Sequence, residues 1–238
     1  MMNYKIIDNS PIKLSHCEVT VEELLNALNN TNGNLESMYR RTKKMHLDVF
    51  SVIDFRVLSG LVGEVFASEL ASVNTNLVKN PYLDGYPDLL QIATPEMKRY
   101  FESCGDAGLN RYKHGGLEVK NTFGSQKSKA FLLKGDQRIK AINKKLDWKA
   151  HHQETNDLIA LFADYFDGRP KIAALFYSNT LCPDDWGKKQ NPKEGSGMTS
   201  FSGIKNTGFK KLKSGLKICL DEQQYLDFID RGQLCQTK

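Results

Sequence analysis

A mixed α/β fold, with a central mixed sheet flanked by helices, is the expectation for this chain, and three observations lead to it. Capped segments with helical periodicity are interleaved with short apolar runs of strand length. Two apolar, aromatic-rich runs, NDLIALFADYF and RPKIAALFYSNT, are separated by Asp167 and Gly168, and their length favours strands over helices. The chain has 238 residues and 40% hydrophobic content, enough to bury a sizeable core, and no apolar run reaches the length of a bilayer span.

Taken in order, TVEELLNALNN opens with Thr20 as an N-cap and Glu23 at the capping-box position, which predicts a helix. TNGN at 31–34 is expected to end it. A second helical region is predicted over 35–72, interrupted near Ser59 and Gly60. Gly60, Gly63, Ala67 and Ala71 recur there at helical spacing, a small-residue stripe that would let the helix lie close to a sheet. Strands are predicted at 76–79, 87–92 and 116–122. Pro95 starts a helix, PEMKRYFESCG, that Gly105 ends. After Trp186 the chain turns polar, with no apolar period until Ile218, and DEQQYLDFIDRG reads as a last helix. This order predicts one domain over 1–238: a helical part at 1–58, a core at 59–180, and a polar segment with the final helix at 181–238.

The net charge of +5 is unevenly distributed. Residues 120–149 carry nine Lys/Arg against Asp136 and Asp147, and residues 188–217 carry eight lysines against Glu194. Each block is +7, so the other 178 residues sum to −9. Two concentrated basic blocks on an otherwise acidic chain predict a polyanionic partner; the alternative is two solvated lysine-rich faces. The five cysteines are odd in number and contain no C-x-x-C pair, which argues against a disulfide framework or zinc site and for a reducing cytoplasm. No secretory signal is expected from the first residues.

The chemistry centres on HGGLEVKNTFG, 114–124. In a strand, residues two apart share a face, so Glu118 and Lys120 point one way and Leu117 and Val119 the other. The [DE]-x-K spacing alone decides little, since about three matches arise by chance in such a chain. Glu96-x-Lys98 sits at a helix start, where a carboxylate is routine. Asp147-x-Lys149 lies in a charged run with no apolar neighbours suggesting a buried strand. Glu118-x-Lys120 is framed by glycines and alternating apolar residues, and thirty residues upstream GYPDLLQ places Asp88 after Pro87 at the start of another strand. Asp84, in an Asp-Gly turn, is the less favoured rival of Asp88.

Pro87-Asp88 followed by Glu118-Val119-Lys120 resembles the PD-(D/E)XK nuclease superfamily, and the polar C-terminal segment is most similar to a type II restriction endonuclease. The resemblance covers about 60–180 and implies a restriction-endonuclease-like fold. It also implies a Mg²⁺-dependent, sequence-specific double-stranded DNA endonuclease that leaves 5′-phosphate and 3′-hydroxyl ends. Asp88 and Glu118 would hold the metal with the Val119 carbonyl as a third oxygen, and Lys120 would orient the attacking water. Glu64, on a preceding helix, would take a second metal or hold a water; the alternative is an exposed helix carboxylate. A homodimer, a partner DNA methyltransferase and a prokaryotic cytoplasm follow from the same resemblance.

For DNA contacts, the segment 185–215 offers Lys188, Lys189, Lys193, Ser200, Ser202, Lys205, Lys210 and Lys211, with Phe201, Ile204, Phe209 and Leu212 as anchors. The alternative is a surface loop. The adjacent His151 and His152 face opposite ways on a strand, which predicts one packed and one exposed. A structure-selective repair or junction nuclease, and a non-catalytic DNA-binding protein, are the competing functions.

Overall fold

Residues 3–83, 85–124, 146–153, 155–191 and 200–231 are described by the structure, a computed structural model. Strand β1 (Tyr4–Ile6) is followed by the small antiparallel pair β2 (Ile12–Lys13) and β3 (Glu18–Val19). Helix α1 (Val21–Lys44) starts at the predicted cap: Thr20 accepts from the Glu23 N–H and the Glu23 carboxylate accepts from the Thr20 N–H. Contrary to expectation, TNGN does not end it. One glycine in a helix costs about 1 kcal/mol relative to alanine, and the burial of Leu28, Thr31, Asn32 and Leu35 on one face of α1 carries the helix through Gly33.

The break falls instead at 45–54. A single short turn, α2 (Val49–Val52), precedes α3 (Phe55–Val73), whose cap is Asp54 accepting from the Arg56 N–H at 2.8 Å. Ser59 and Gly60 lie inside α3, not at an interruption. The predicted small-residue stripe also divides: Ala67 is buried, whereas a Cβ on Gly60 or Gly63 would meet nothing within 4 Å. Among the described residues, no neighbouring element approaches either glycine closely.

Then come β4 (Leu77–Lys79), β5 (Leu89–Gln91), α4 (Pro95–Ser103) and β6 (Gly116–Thr122), close to the predicted boundaries, with a short helix that was not predicted, α5 (Gly105–Asn110), between the last two. From residue 146 onward lie β7 (Lys149–Ala150), β8 (Leu158–Phe166) and β9 (Arg169–Ser178), a 3₁₀ turn (Pro183–Asp185), β10 (Ser202–Gly203), α6 (Asn206–Ser214), β11 (Leu216–Leu220) and α7 (Gln223–Arg231). Helices flank a seven-stranded mixed sheet of order β1-β11-β9-β8-β6-β5-β4, and β10 pairs with β7. None of the described helices is long and apolar enough to cross a membrane.

By its internal contacts the chain divides into two compact units, Asp8–Val119, and Met1–Ile7 with Lys120–Lys238; the boundary falls within β6. In the first unit α1 packs on α3, with the Asn34 amide donating to Glu69 at 2.7 Å. The Gln91 side chain, fully buried, is satisfied on both sides: it donates to Ser15 Oγ and the His114 carbonyl and accepts from the His16 N–H and the Cys17 thiol. Burial pushes that thiol up to about 11. Gly116 has φ of 154°, and a Cβ there would run into the Leu89 carbonyl, so the close pairing of β5 with β6 requires glycine.

In the second unit β8 and β9 form a long antiparallel hairpin. Its two-residue turn is Asp167 (φ 49°) and Gly168 (φ 82°), both left-handed as a tight hairpin of this hand demands. Both strands are buried along nearly their whole length, which is why they read as continuous apolar runs. The core includes Trp148, Phe162, Phe176, Trp186, Phe209, Leu212 and Tyr225. Leu146, Trp148 and Ala150 are buried and alternate with Asp147 and Lys149, so the reading of 146–150 as a charged run outside any buried strand is corrected.

Gly33→Ala, at an exposed helical site with nothing within 4 Å, is expected to stabilise the protein by about 1 kcal/mol. Gly116→Ala is expected to destabilise it by at least about 2 kcal/mol. Urea unfolding of both variants checks the pair of signs.

Candidate functional site

Strands β5 and β6 are antiparallel, with Leu89 opposite Leu117 and Leu90 opposite Gly116. One step further along the ladder Asp88 comes opposite Glu118. There the backbone amides are taken by carboxylates: the Asp88 N–H donates to Glu118 Oε2 at 3.2 Å, and the Val119 N–H donates to Asp88 Oδ2 at 2.7 Å. Two acids thirty residues apart are thereby locked together reciprocally. Leu117 and Val119 on the other face of β6 are buried, as the period of two requires.

Glu118 is only 3% exposed. A buried carboxylate beside a second one is costly unless cationic or hydrogen-bonding groups compensate. Lys120 follows two positions on along β6, on the same face and half-buried. Thr122, next on that face, donates to the Asp147 carbonyl at 3.0 Å. The approach to Asp88 is held by Asn80. Its N–H donates to the Asp88 carbonyl at 2.8 Å, its side-chain amide donates to the Pro87 and Leu109 carbonyls, and its side-chain oxygen accepts from the Tyr82 N–H. The Tyr86–Pro87 peptide is cis. Asp84, the rival acid, lies outside the described residues.

Glu64 is placed differently from the other acids. It is 61% exposed on α3 and pairs with Lys79 at 2.6 Å. Among the described residues no group of three or more His, Cys, Asp or Glu is arranged to hold a metal, so Glu64 does not join Asp88 and Glu118 in one cluster. The hard oxygen donors of those two acids suit Mg²⁺, which takes few protein carboxylates and keeps several waters. A cleft of about 600 Å³ lined by His16, Thr94, Pro95, Glu96, Met97, Arg99 and His114 includes neither acid. Glu96 itself is in the first turn of α4, behind the Thr94 cap and Pro95, the structural role expected of it.

The predicted DNA contacts separate into two kinds. Lys188, Lys189 and Lys210 are exposed. Lys205 is also exposed, with its ammonium on the Asp184 carbonyl at 3.0 Å. Ser200 is at the surface, its hydroxyl on Asn191 and its carbonyl 2.7 Å from His151 Nδ1. His151 is exposed and His152 half-buried. Ser202, by contrast, is 1% exposed and its hydroxyl accepts from Gln153, so it cannot reach a base edge as it stands. Lys193 lies outside the described residues.

Lys211 is also corrected. Its ammonium donates to Asp185 at 2.6 Å, to the Thr180 carbonyl at 2.7 Å, and contacts the Cys182 sulfur at 3.9 Å, which uses all three of its donors. Burial pushes the Asp185 carboxyl up, but hydrogen bonds from Lys211, Thr207 and Cys182 outweigh it and hold the group below its ordinary value. Asp185 in turn accepts from the Cys182 N–H and closes the 3₁₀ turn. A lysine in a polar run reads as solvated; nothing local marked Asp185 as its buried partner. The sequence reading also missed Lys149, whose ammonium lies 4.5 Å from the centre of the Phe201 ring. Its place in the first basic block was the available signal.

Compared with known proteins, the chain matches no family model, no curated protein and no solved structure.

Lys211→Met is expected to lower the melting temperature near neutral pH. An aspartate with a depressed folded-state pKa adds stability that is full above its unfolded value near 3.8 and lost as pH falls through the folded value. The deficit of the variant should therefore shrink below that pH. A deficit that stays constant into acid would exclude the ion pair as its source.

Proposed function

We propose that this protein is a Mg²⁺-dependent endonuclease acting on double-stranded DNA, similar in kind to type II restriction enzymes. What supports the reading is the reciprocal pairing of Asp88 and Glu118 across two adjacent strands, with Lys120 two residues beyond Glu118. That is the order and spacing of acids and lysine that the PD-(D/E)XK resemblance implies.

The chemistry follows from charge. Hydrolysis adds water to a phosphorus already surrounded by anionic oxygens, breaks its bond to the 3′ oxygen, and leaves a 5′-phosphate and a 3′-hydroxyl. Asp88 and Glu118 hold the cation, with the Val119 carbonyl as a further oxygen donor, and their mutual backbone bonds keep both from rotating away. When bound, Mg²⁺ supplies positive charge that offsets the charge accumulating on the phosphate. Lys120 orients the attacking water and donates to the phosphate oxygens as negative charge builds. Lys188, Lys189, Lys205 and Lys210 are cations suited to backbone phosphates, which position a duplex without reading its sequence. Lys149 and Ser200 belong to the same candidate set. A homodimer with one site per subunit is the simplest geometry for cutting both strands, and a methyltransferase would protect the host's own sites.

Wild type is expected to cut phage DNA into discrete fragments with Mg²⁺ and not with chelator. Glu118→Ala and Lys120→Ala should each lose more than about a hundredfold in rate while still retarding DNA in a gel. Selective cutting of branched substrates instead would make it a structure-selective nuclease. Cleavage by Glu118→Ala at the wild-type rate, or in chelator, would refute the assignment.

A further inference from the structure

Cys182 immediately precedes the 3₁₀ turn, and its half-buried side chain lies against two charged groups. The thiol donates to Asp185 Oδ2 at 3.4 Å, and the Lys211 ammonium donates to the sulfur at 3.9 Å. The same carboxylate oxygen accepts from Lys211 at 2.6 Å, so thiol, carboxylate and ammonium form a closed triangle. Asp185 closes the turn through the Cys182 N–H, a backbone bond that does not call on the sulfur. The Asp185 side chain is 3% exposed and that of Lys211 34%, so a small molecule reaches the triangle from the lysine side. The other described cysteines sit differently. Burial pushes the Cys17 thiol up to about 11 and the Cys219 thiol up to about 12, and the Cys104 thiol donates to the Phe101 carbonyl at 3.6 Å.

From this contact we infer that Cys182 and Lys211 are the two ends of a crosslink formed by hydrogen peroxide, a sulfenamide bond between Sγ and Nζ. In the first step the sulfur attacks one peroxide oxygen: an S–O bond forms, the O–O bond breaks, and Cys182 becomes a sulfenic acid. The thiol proton passes to Asp185, its acceptor in the folded chain. Lys211 gives a proton to the departing hydroxide, which leaves as water. That transfer also turns the ammonium into a free amine beside the oxidised sulfur. In the second step the amine attacks the sulfur: an S–N bond forms and the S–O bond breaks. The hydroxide released takes the proton from Asp185 and leaves as a second water, and the surplus proton on nitrogen returns to the carboxylate. One peroxide thus becomes two waters, and the sulfur is oxidised by two electrons. Sulfenic acids condense with a backbone nitrogen in the same way; here a side-chain nitrogen is already held against the sulfur, which favours the reaction. The bond ties the 3₁₀ turn to α6 and encloses the stretch that carries the exposed Lys188, Lys189, Lys205 and Lys210. The inference does not depend on the nuclease reading.

Peptide mass spectrometry of the full-length protein, treated with hydrogen peroxide while folded and then digested with trypsin, tests it. The peptide of Cys182 is expected joined to that of Lys211, lighter by two hydrogen atoms than the pair together, uncut after Lys211 and separated again by a thiol reductant. Unfolding in urea before the peroxide should lower the joined fraction by about tenfold or more, because only the fold holds the two groups together. Lys211→Arg keeps a positive charge beside Asp185, and circular dichroism checks its folding. In that variant Cys182 should stop at the sulfenic acid, which a cyclic diketone probe traps. Cys182 left unmodified, carried on to a sulfinic acid without joining, or joined to another residue would overturn the assignment. So would a crosslink equally abundant in urea.

Discussion

The β5–β6 ladder ends by substituting side-chain carboxylates for backbone carbonyls, and the candidate site depends on that substitution. Past the Leu89–Leu117 pair, the amides of Asp88 and Val119 donate to Glu118 and Asp88, respectively. Charge-assisted bonds to backbone N–H groups are short and strong, and they restrain the acceptor as well as the donor. Each acid is therefore held by the other's strand. Breaking the ladder would release both, and moving either acid would unpair a backbone group near the core. Gly116, which lets β6 approach the Leu89 carbonyl, belongs to the same arrangement one residue earlier.

The lysine-rich C-terminal segment obeys a different constraint. It folds because Ile204, Phe209 and Leu212 enter the core with Trp148 and Trp186, and because Lys211 neutralises the buried Asp185. The basic character of this stretch is thus partly structural. A lysine that satisfies a buried aspartate, one backbone carbonyl and a cysteine sulfur has no donor left for a phosphate. The exposed cations, Lys188, Lys189, Lys205 and Lys210, are the ones that keep the electrostatic attraction read from composition.

Much of the fold was legible because period and punctuation are local properties. The Thr20 and Pro95 helix starts, the strand at 116–122, and the hairpin around Asp167 and Gly168 follow from caps, fixed φ angles and alternation, all of which act within a few residues. The failures occurred where burial outweighed local preference. Gly33 breaks a helix in isolation but not one anchored by Leu28 and Leu35. Residues 206–214 read as a polar loop because two buried side chains, Phe209 and Leu212, suffice to hold a helix whose other face is lysine. The strand at 216–220 was missed because Lys217, itself buried, interrupts its apolar run.

For the candidate site the division is similar. By itself the sequence determined that Glu118 and Lys120 share a face, since the chain's own pleat sets a period of two, and that Asp88 begins a strand behind a proline. Only the tertiary structure decided that Asp88 lies directly across from Glu118, that Glu64 pairs with Lys79, and that Lys211 and Ser202 serve the core. Those outcomes depend on which segments pair across thirty or more residues. Strand pairing and core packing select such contacts through the burial of whole faces, a quantity that no short stretch of residues carries on its own.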